Sequence, residues 1–275
     1  MRRILITALV LAASALLAPA ALATTQTATG GAVTATFTFS GQFPTFSGLH
    51  LTIAQSGSVL YDQPVSSKWC GNICAPLATA AKTPSVHVID LDQTGQPNVV
   101  LDLYTGGAHC CTIEQIFTFD PGTMTYGMAE RDFGDPVPQI EDLGRTGHFE
   151  FVGADDAFAY AFTDFAASGM PLQILSFSNG RFSDVTGSYR ALIAKDATRW
   201  LKAFKSSARG HYVDTVGIIA AWAADEYRLG KVAAANKFLH QQARAGHLNS
   251  PLGRSVAQGQ KFVTRLQKFL RRHGY

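Results

Sequence analysis

Four cysteines have the most distinctive chemistry in this chain. They form two groups, Cys70 with Cys74 and Cys110 with Cys111. In an oxidising compartment an even number of cysteines favours disulfides, and four cysteines allow three pairings. Links within each group and links between the two groups both remain open. The alternative is a soft-metal or redox site in which His109 joins two thiolates, although the spacing is not that of the C-x-x-C redox motif.

Adjacent carboxylates are the next candidates, because acid–base catalysis needs positioned proton donors and acceptors. Asp155 and Asp156 stand outside any other motif, and His109, His148 or Glu114 would complete an acid–base site with them. The sequence contains no nucleophile elbow, zinc-protease motif or phosphate-binding loop. These observations favour binding over catalysis. The alternative is a hydrolase with its site at the junction of the β and α parts.

Period-two alternation predicts antiparallel strands in the first two thirds of the chain. The clearest run is 33–39, where Val, Ala and Phe alternate with Thr. Other runs of this kind predict strands at 49–53, 59–61, 86–89, 99–103, 115–119, 150–152 and 173–177. We therefore expect an antiparallel β segment over 24–82 and further β structure over 83–188.

The last third of the chain changes to helical spacing, with apolar residues from Leu192 to Phe204 on one face. Gly230 and Gly246 are predicted helix stops. Further helices are predicted at 213–229, 231–245 and 260–272. The predicted fold class is α+β, in which a β-rich part precedes a basic α-helical module at 189–275.

Charge divides the chain at the same place. Residues 24–188 carry a formal net charge of −11, whereas residues 189–275 carry +12. In the last predicted helix a cationic stripe lies opposite an apolar stripe. The cationic stripe consists of Lys261, Arg265, Lys268 and Arg272.

A helix of this kind suits an anionic cell-envelope polymer or a membrane surface. The alternative is that its apolar face packs on other helices while its basic face meets the acidic β part. We find no nucleic-acid-binding motif, so we do not expect nucleic acid as a partner.

An internal repeat lies within the acidic part. The segments 89–95 and 141–147 match at Asp, Leu, Thr and Gly with an offset of 52 residues. Each copy continues into a predicted strand and then into an aromatic strand with a turn, which predicts two four-stranded units. Two such units cannot close a propeller, so the first β segment or another packing must complete the arrangement.

One loop of the first copy combines oxygen-bearing side chains with turn residues. Its motif residues are Asp90, Asp92, Thr94, Gly95, Pro97 and Asn98. This pattern resembles a degenerate form of the D-x-D-G-D-G-x-x-D cation loop of FG-GAP/VCBS-type repeats. The segment 102–111, which includes Gly-Gly-Ala-His-Cys-Cys, is similar to uncharacterised secreted bacterial proteins with such a repeat. The resemblance covers 86–187 and implies propeller-blade-like repeats in a surface or secreted binding protein.

The same resemblance implies a calcium site formed by Asp90, Asp92, Thr94 and Asn98. Calcium takes six to eight oxygen ligands, and this loop offers two carboxylates together with a hydroxyl and an amide. The second copy is poorer, since Gly144 replaces the second aspartate. The alternative is an Asx-turn, in which the first aspartate accepts hydrogen bonds from backbone N–H groups two residues on. Calcium is the one cofactor that the sequence suggests.

The first 23 residues have the three parts of a secretory signal peptide. Arg2 and Arg3 form a basic start, 4–17 is apolar, and 21–23 reads Ala-Leu-Ala. This pattern predicts cleavage after Ala23 and secretion. Together the observations predict a secreted protein with two disulfides that binds a ligand or associates with the cell envelope.

Overall fold

The described chain forms antiparallel sheets followed by helices, which confirms the predicted α+β class. A computed structural model describes residues 23–71, 73–80, 83–208, 214–250 and 257–275. The predicted signal peptide lies outside these residues except for Ala23, which begins the first strand.

The first sheet, sheet A, is a four-stranded antiparallel meander. In its second strand Val, Ala and Phe are buried while the intervening Thr residues are half-buried, as the alternation predicts. Its strands are β1 (Ala23–Gly30), β2 (Val33–Gln42), β3 (Thr45–Gln55) and β4 (Ser58–Pro64).

The second sheet, sheet B, has five strands, and both β5 and β6 pair with β7. Its long central hairpin brings β7 and β8 together, and β9 pairs with the other side of β8. The strands are β5 (Ala75–Pro76), β6 (Val86–Ile89), β7 (Asn98–Gly107), β8 (Cys110–Asp120) and β9 (Thr125–Gly134).

The third sheet, sheet C, repeats the meander of β6 to β9 in shorter strands. Asn98 begins β7 and Glu150 begins β11, so the two copies keep the offset seen in the sequence. The strands are β10 (Gln139–Glu141), β11 (Glu150–Ala154), β12 (Leu172–Ser178) and β13 (Arg181–Asp184). Each of the two segments therefore contains four antiparallel strands.

The sheets pack face to face and share two apolar cores. Sheet A contributes residues such as Phe37 and Leu51 to the first core, where they meet Leu101 and Phe117 of sheet B. The opposite face of sheet B packs on sheet C, and the two sheets enclose the second core between them. Phe133 of β9 belongs to this second core. The first β segment thus covers the face of sheet B that the repeats leave open.

The helices form a third core at the end of the chain. Gly230 and Gly246 follow α2 and α3 with positive φ values, which confirms the predicted stops. No helix among the described residues is long and apolar enough to span a membrane. The helices are α1 (Arg190–Ser207), α2 (Val216–Arg228), α3 (Val232–Arg244) and α4 (Gly259–Arg272).

A buried carboxyl pair joins the helices to sheet C. Asp196 in α1 accepts hydrogen bonds from the backbone N–H of Leu172, which starts β12, and from the Trp200 indole, at 3.0 and 2.9 Å. Asp225 in α2 is fully buried, and its burial beside Asp196 raises its pKa to about 9. Asp225 is therefore protonated at neutral pH.

Candidate functional site

A polar cavity of about 310 Å³ lies where sheets B and C meet the segment that follows β11. A short 3-10 helix, Asp156–Phe158, forms one wall. The cavity is lined by Trp69, Arg131, Asp132, Phe133, Gly134, Asp155, Asp156, Ala157 and Gln173. Its volume lies within the range of small-ligand sites, and its lining combines two aromatic rings with polar groups.

Gly134 shapes this cavity at the end of β9. It has a φ of +72°, and a Cβ at this position would lie 2.1 Å from the Asp156 carboxylate. Only glycine adopts this backbone freely while allowing so close an approach. The backbone N–H of Asp135 then donates to Asp156 Oδ1 at 3.2 Å. The local sequence Phe-Gly-Asp therefore fixes the acidic wall of the cavity.

Two carboxylates of the cavity accept hydrogen bonds that fix their positions. Asp132 accepts from the Gly134 N–H at 2.8 Å, and Asp155 accepts from the Tyr275 hydroxyl at 2.6 Å. The pKa of Asp156 is raised, first by burial and then by the negative charges of Asp132, Asp135 and Asp155. The carboxylates therefore give the cavity a negative potential, which favours the protonated form of Asp156.

Trp69 provides the aromatic wall, and its side chain is 46% exposed. The Cys70–Cys74 disulfide follows it directly, and the ammonium group of Lys68 lies 5.1 Å from its ring centroid. Arg131 provides the one cation of the lining, with its guanidinium carbon 5.5 Å from the Phe133 ring centroid. The indole ring, the guanidinium and the carboxylates thus surround one open volume.

The cysteines pair locally, as Cys70–Cys74 and as the adjacent Cys110–Cys111. The structure therefore selects one of the three pairings that the sequence allowed, and it leaves no thiolate of these four for a metal. The two disulfide loops touch each other, since a Cβ on Gly106 would lie 2.8 Å from the Ile73 side chain.

Both disulfides lie at the same end of sheet B as the cavity. Thr112 follows Cys111 and pairs with Gly134 of the cavity lining. On the same hairpin, His109 stacks on Phe165 with ring centroids 4.0 Å apart.

The acid–base site expected around Asp155 and Asp156 is assembled only in part. Among the described residues, His109 and His148 form no side-chain hydrogen bond or ion pair with either carboxylate, because His109 stacks on an aromatic ring and His148 is exposed on a loop. Glu114 is buried in β8, and its directly paired residue on β9 is Arg131 of the cavity lining.

Sequence reasoning missed a second polar cluster on sheet B. His87 Nε2 lies 2.9 Å from Asp102 Oδ2, and Asp102 is directly opposite Glu114 in the register of β7 and β8. Burial and the neighbouring Asp102 raise the pKa of Glu114 well above its usual range, and the Asp102 hydrogen bond raises the pKa of His87. Only strand register brings these residues together, so no sequence spacing identifies them.

The predicted cation loop is closed by its own backbone. Asp90 accepts from the N–H groups of Thr94 at 3.1 Å and Gly95 at 2.8 Å. Asn98 is buried, and its amide oxygen accepts from the Leu91 N–H at 3.2 Å. The expected Asx-turn is corrected in one respect, because the bonds reach four and five residues ahead instead of two.

The loop of the second copy has equivalent hydrogen bonds. Asp142 accepts from the N–H groups of Thr146 and Gly147, and Glu150 accepts from the Leu143 N–H. These residues correspond one by one to those of the first loop at the same offset. The two loops are therefore structural repeats, and sequence alone identified their positions.

The metal hypothesis for the first loop remains a prediction. Its residues Asp90, Asp92, Thr94 and Asn98 lie along one turn, and Thr94 is exposed. Within the described ranges no group of three or more His, Cys, Asp or Glu side chains is arranged to hold a metal ion.

Comparison with known proteins finds two curated relatives over part of the chain. The chain is 36% identical over 104 residues to a "Probable thylakoid lumen protein" of Synechocystis, covering 37% of this chain and 30% of that protein. It is 25% identical over 150 residues to an "Uncharacterized protein" of Sinorhizobium fredii, covering 53% and 23% respectively. The matches thus span less than a third of either relative. No family model and no solved structure matches the chain.

Proposed function

We propose that this protein is an extracytoplasmic binding protein whose cavity takes a saccharide. The observation that carries the proposal is the exposed Trp69 ring beside carboxylate, guanidinium and amide groups in one cavity. The lumenal name of the Synechocystis relative supports a location outside the cytoplasm. The predicted signal peptide and the resemblance to secreted FG-GAP-type binding proteins support the same location.

The chemistry of the cavity matches the two kinds of surface on a sugar ring. One face of a pyranose carries C–H groups, which pack on the negative face of an aromatic ring such as Trp69. The rim carries hydroxyls, which donate to carboxylates and accept from guanidinium or amide N–H groups. Asp132, Asp156, Arg131 and Gln173 supply both kinds of partner.

The charge of the cavity selects among saccharides. Asp132, Asp155 and Asp156 outnumber Arg131, the one cation among the lining residues. A sugar that carries a carboxylate or sulfate would therefore be repelled, whereas neutral sugars and amino sugars would be accepted.

A calorimetric screen of soluble neutral, amino and acidic saccharides tests the proposal. We expect neutral or amino saccharides to bind. Salt should have little effect on a neutral saccharide, because hydroxyl contacts carry no net charge, and should weaken the binding of a cationic amino saccharide. The proposal is wrong if only acidic saccharides bind, or if saccharides of all three classes fail to bind.

A second candidate function is hydrolysis of the bound saccharide. The presence of two carboxyls, Asp155 and Asp156, in one cavity favours it, and the pKa of Asp156 is raised in the direction that a general acid requires. Asp156 would donate its proton to the leaving oxygen while Asp155 accepts a proton from the attacking water. Release of reducing ends from an oligosaccharide, lost in Asp156→Asn, would support hydrolysis, whereas binding without release supports binding alone.

A further inference from the structure

The outward faces of α3 and α4 form a surface whose charge is uniformly positive. Neither helix contains an Asp or a Glu. We call this surface the cationic face and define it by the exposed side chains of Lys237, Lys261, Lys268, Arg271 and Arg272. Among the described residues, none of these five forms a salt bridge or a side-chain hydrogen bond with a neighbour.

The apolar side of α4 is already occupied. Phe262, Val263, Leu266 and Leu270 are at most 1% exposed and belong to the helical core. This confirms that the apolar face packs on other helices. A helix that binds a bilayer by insertion keeps its apolar residues available beside its cations. The apolar residues of α4 are therefore not available to a partner, and the cationic face can bind one only through its charges.

The acidic β part does not neutralise this face. Within the described residues, Arg228–Asp184 is the one salt bridge that joins the helices to the sheets, at 3.3 Å. It lies on α2 and not on the cationic face. The expected contact of the basic face with the acidic part is limited in α4 to Arg265, which donates to the backbone oxygen of Ala161 and lies over the Phe162 ring; the five cations of the cationic face are exposed.

The two helices present their cations side by side. Side-chain hydrogen bonds between Gln267 and Asn236, and between Gln260 and His240, hold α4 against α3. Lys268 and Lys237 directly follow the first of these pairs and are both exposed. The bonded pairs run in opposite directions along the two helices, so the helices are antiparallel and their outer faces lie next to each other.

Spacing along α4 gives the surface its shape. Lys261, Lys268 and Arg272 lie in one row about 16 Å long at a rise of 1.5 Å per residue, and Arg265, in the same row, donates to the backbone oxygen of Ala161. Like charges at this spacing repel each other on an isolated helix. A bound chain of anions would relieve that repulsion along the whole row.

We infer that the cationic face binds a linear polyanion, a polymer with repeated phosphate or carboxylate groups, such as a cell-envelope polymer. A row of cations matches an extended chain, and a protein partner would require an exposed apolar centre. Among the described residues of α3 and α4, Val232 is the one large apolar side chain that is strongly exposed. This interaction is separate from saccharide binding, because it uses another surface and charges of the opposite sign.

Binding of full-length mature protein to polyphosphate, measured over a series of salt concentrations, tests this inference. We expect affinity that falls steeply with salt, as counterion release requires. The double variant Lys261→Gln with Lys268→Gln should bind at least tenfold more weakly at low salt and with a shallower salt dependence. Its fold should be intact because both side chains are exposed.

A matched control separates the cationic face from net charge. Arg145→Gln with Arg181→Gln removes two positive charges from exposed positions, one in the loop between β10 and β11 and one on β13, and should bind polyphosphate almost as well as the parent. Equal losses in both double variants would overturn the inference, as would absence of binding at low salt. Tighter binding to vesicles of anionic lipid than to polyphosphate would overturn it in favour of a membrane surface.

Discussion

Trp69 is the side chain on which the proposed ligand contact depends most. Trp69→Ala removes the aromatic wall of the cavity without opening a core, because the side chain is about half exposed. A stacking contact contributes about 0.5–1.5 kcal/mol beyond the buried area. We therefore expect a roughly threefold to tenfold weaker Kd for the saccharide, measured by calorimetry.

Met124→Ala provides the matched control for this substitution. Met124 is 59% exposed and lies in the turn between β8 and β9, away from the cavity lining. Its loss should leave saccharide affinity unchanged. If Met124→Ala weakens binding as much as Trp69→Ala, the indole ring has no special role.

Sequence reasoning identified some of the residues at this site and missed others. Asp155 and Asp156 stood out because no motif explained them, and the structure places both in the cavity. Trp69 and Arg131 carried no signal, since they reach the cavity only through the disulfide loop and the register of β9. His87 was missed for the same reason, because its partner Asp102 lies across a strand ladder.

At the scale of elements, the contact between α1 and α2 makes stability depend on pH. Asp225 has a folded-state pKa of about 9, far above the ordinary value of 3.8. Between these two values the folded protein holds a proton that the unfolded chain has released. Stability therefore falls as pH rises through this window, by at most about 1.4 kcal/mol per pH unit from this carboxyl.

The substitution Asp225→Asn tests this contact. An amide resembles the protonated carboxyl and cannot ionise. The variant should therefore lose most of the pH dependence of stability between about pH 5 and pH 9, the range in which only the folded parent holds the proton. It should be more stable than the parent at neutral pH. Urea unfolding at several pH values measures both effects, and Glu141→Gln, at an exposed carboxyl, is the control. A parallel pH dependence in Asp225→Asn and parent would contradict the assignment.

The repeat loops make a second prediction at this scale. Asp90→Ala removes two hydrogen bonds to backbone N–H groups and should lower the free energy of unfolding by about 1–2 kcal/mol, as loss of a helix cap does. Asp92→Ala, in the same loop, should change stability little in a chelator, because no described group donates a hydrogen bond to Asp92. Thermal unfolding of both variants measures the difference.

The same thermal unfolding measurement, repeated with added calcium, tests the predicted metal site. If the loop binds calcium, added calcium should stabilise the parent, and Asp92→Ala should abolish that gain. If calcium changes neither protein, the loop is held by its backbone alone and the predicted metal site is wrong. The loss in Asp90→Ala measured in chelator does not depend on this outcome.

The elements themselves were largely predictable. Alternation located most of the longer strands, and helical spacing located α2, α3 and α4 to within a few residues. The long strands β1 and β9 were not predicted, because their buried positions do not alternate regularly along the strand. The short strands β5, β10 and β13 were not predicted, because two to four residues are too few to show a period. Their pairing is determined by neighbouring strands and not by their own sequences.

At the scale of the whole molecule, the division of charge separates two binding surfaces. The acidic part contains the cavity, whose carboxylates favour neutral or amino saccharides, while the cationic face of α3 and α4 favours polyanions. Salt should therefore weaken polyphosphate binding and leave the binding of neutral saccharides nearly unchanged. The sequence revealed this division by composition alone, but the structure shows that the two charged regions do not cancel each other.

The crystal structure of the protein with its tightest saccharide tests the central claim most directly. We predict a sugar ring packed on Trp69, with hydroxyls within hydrogen-bond distance of Asp132, Asp156 or Arg131. A saccharide bound against α3 and α4, or a cavity that stays empty in crystals of a protein that binds the sugar in solution, would contradict the account.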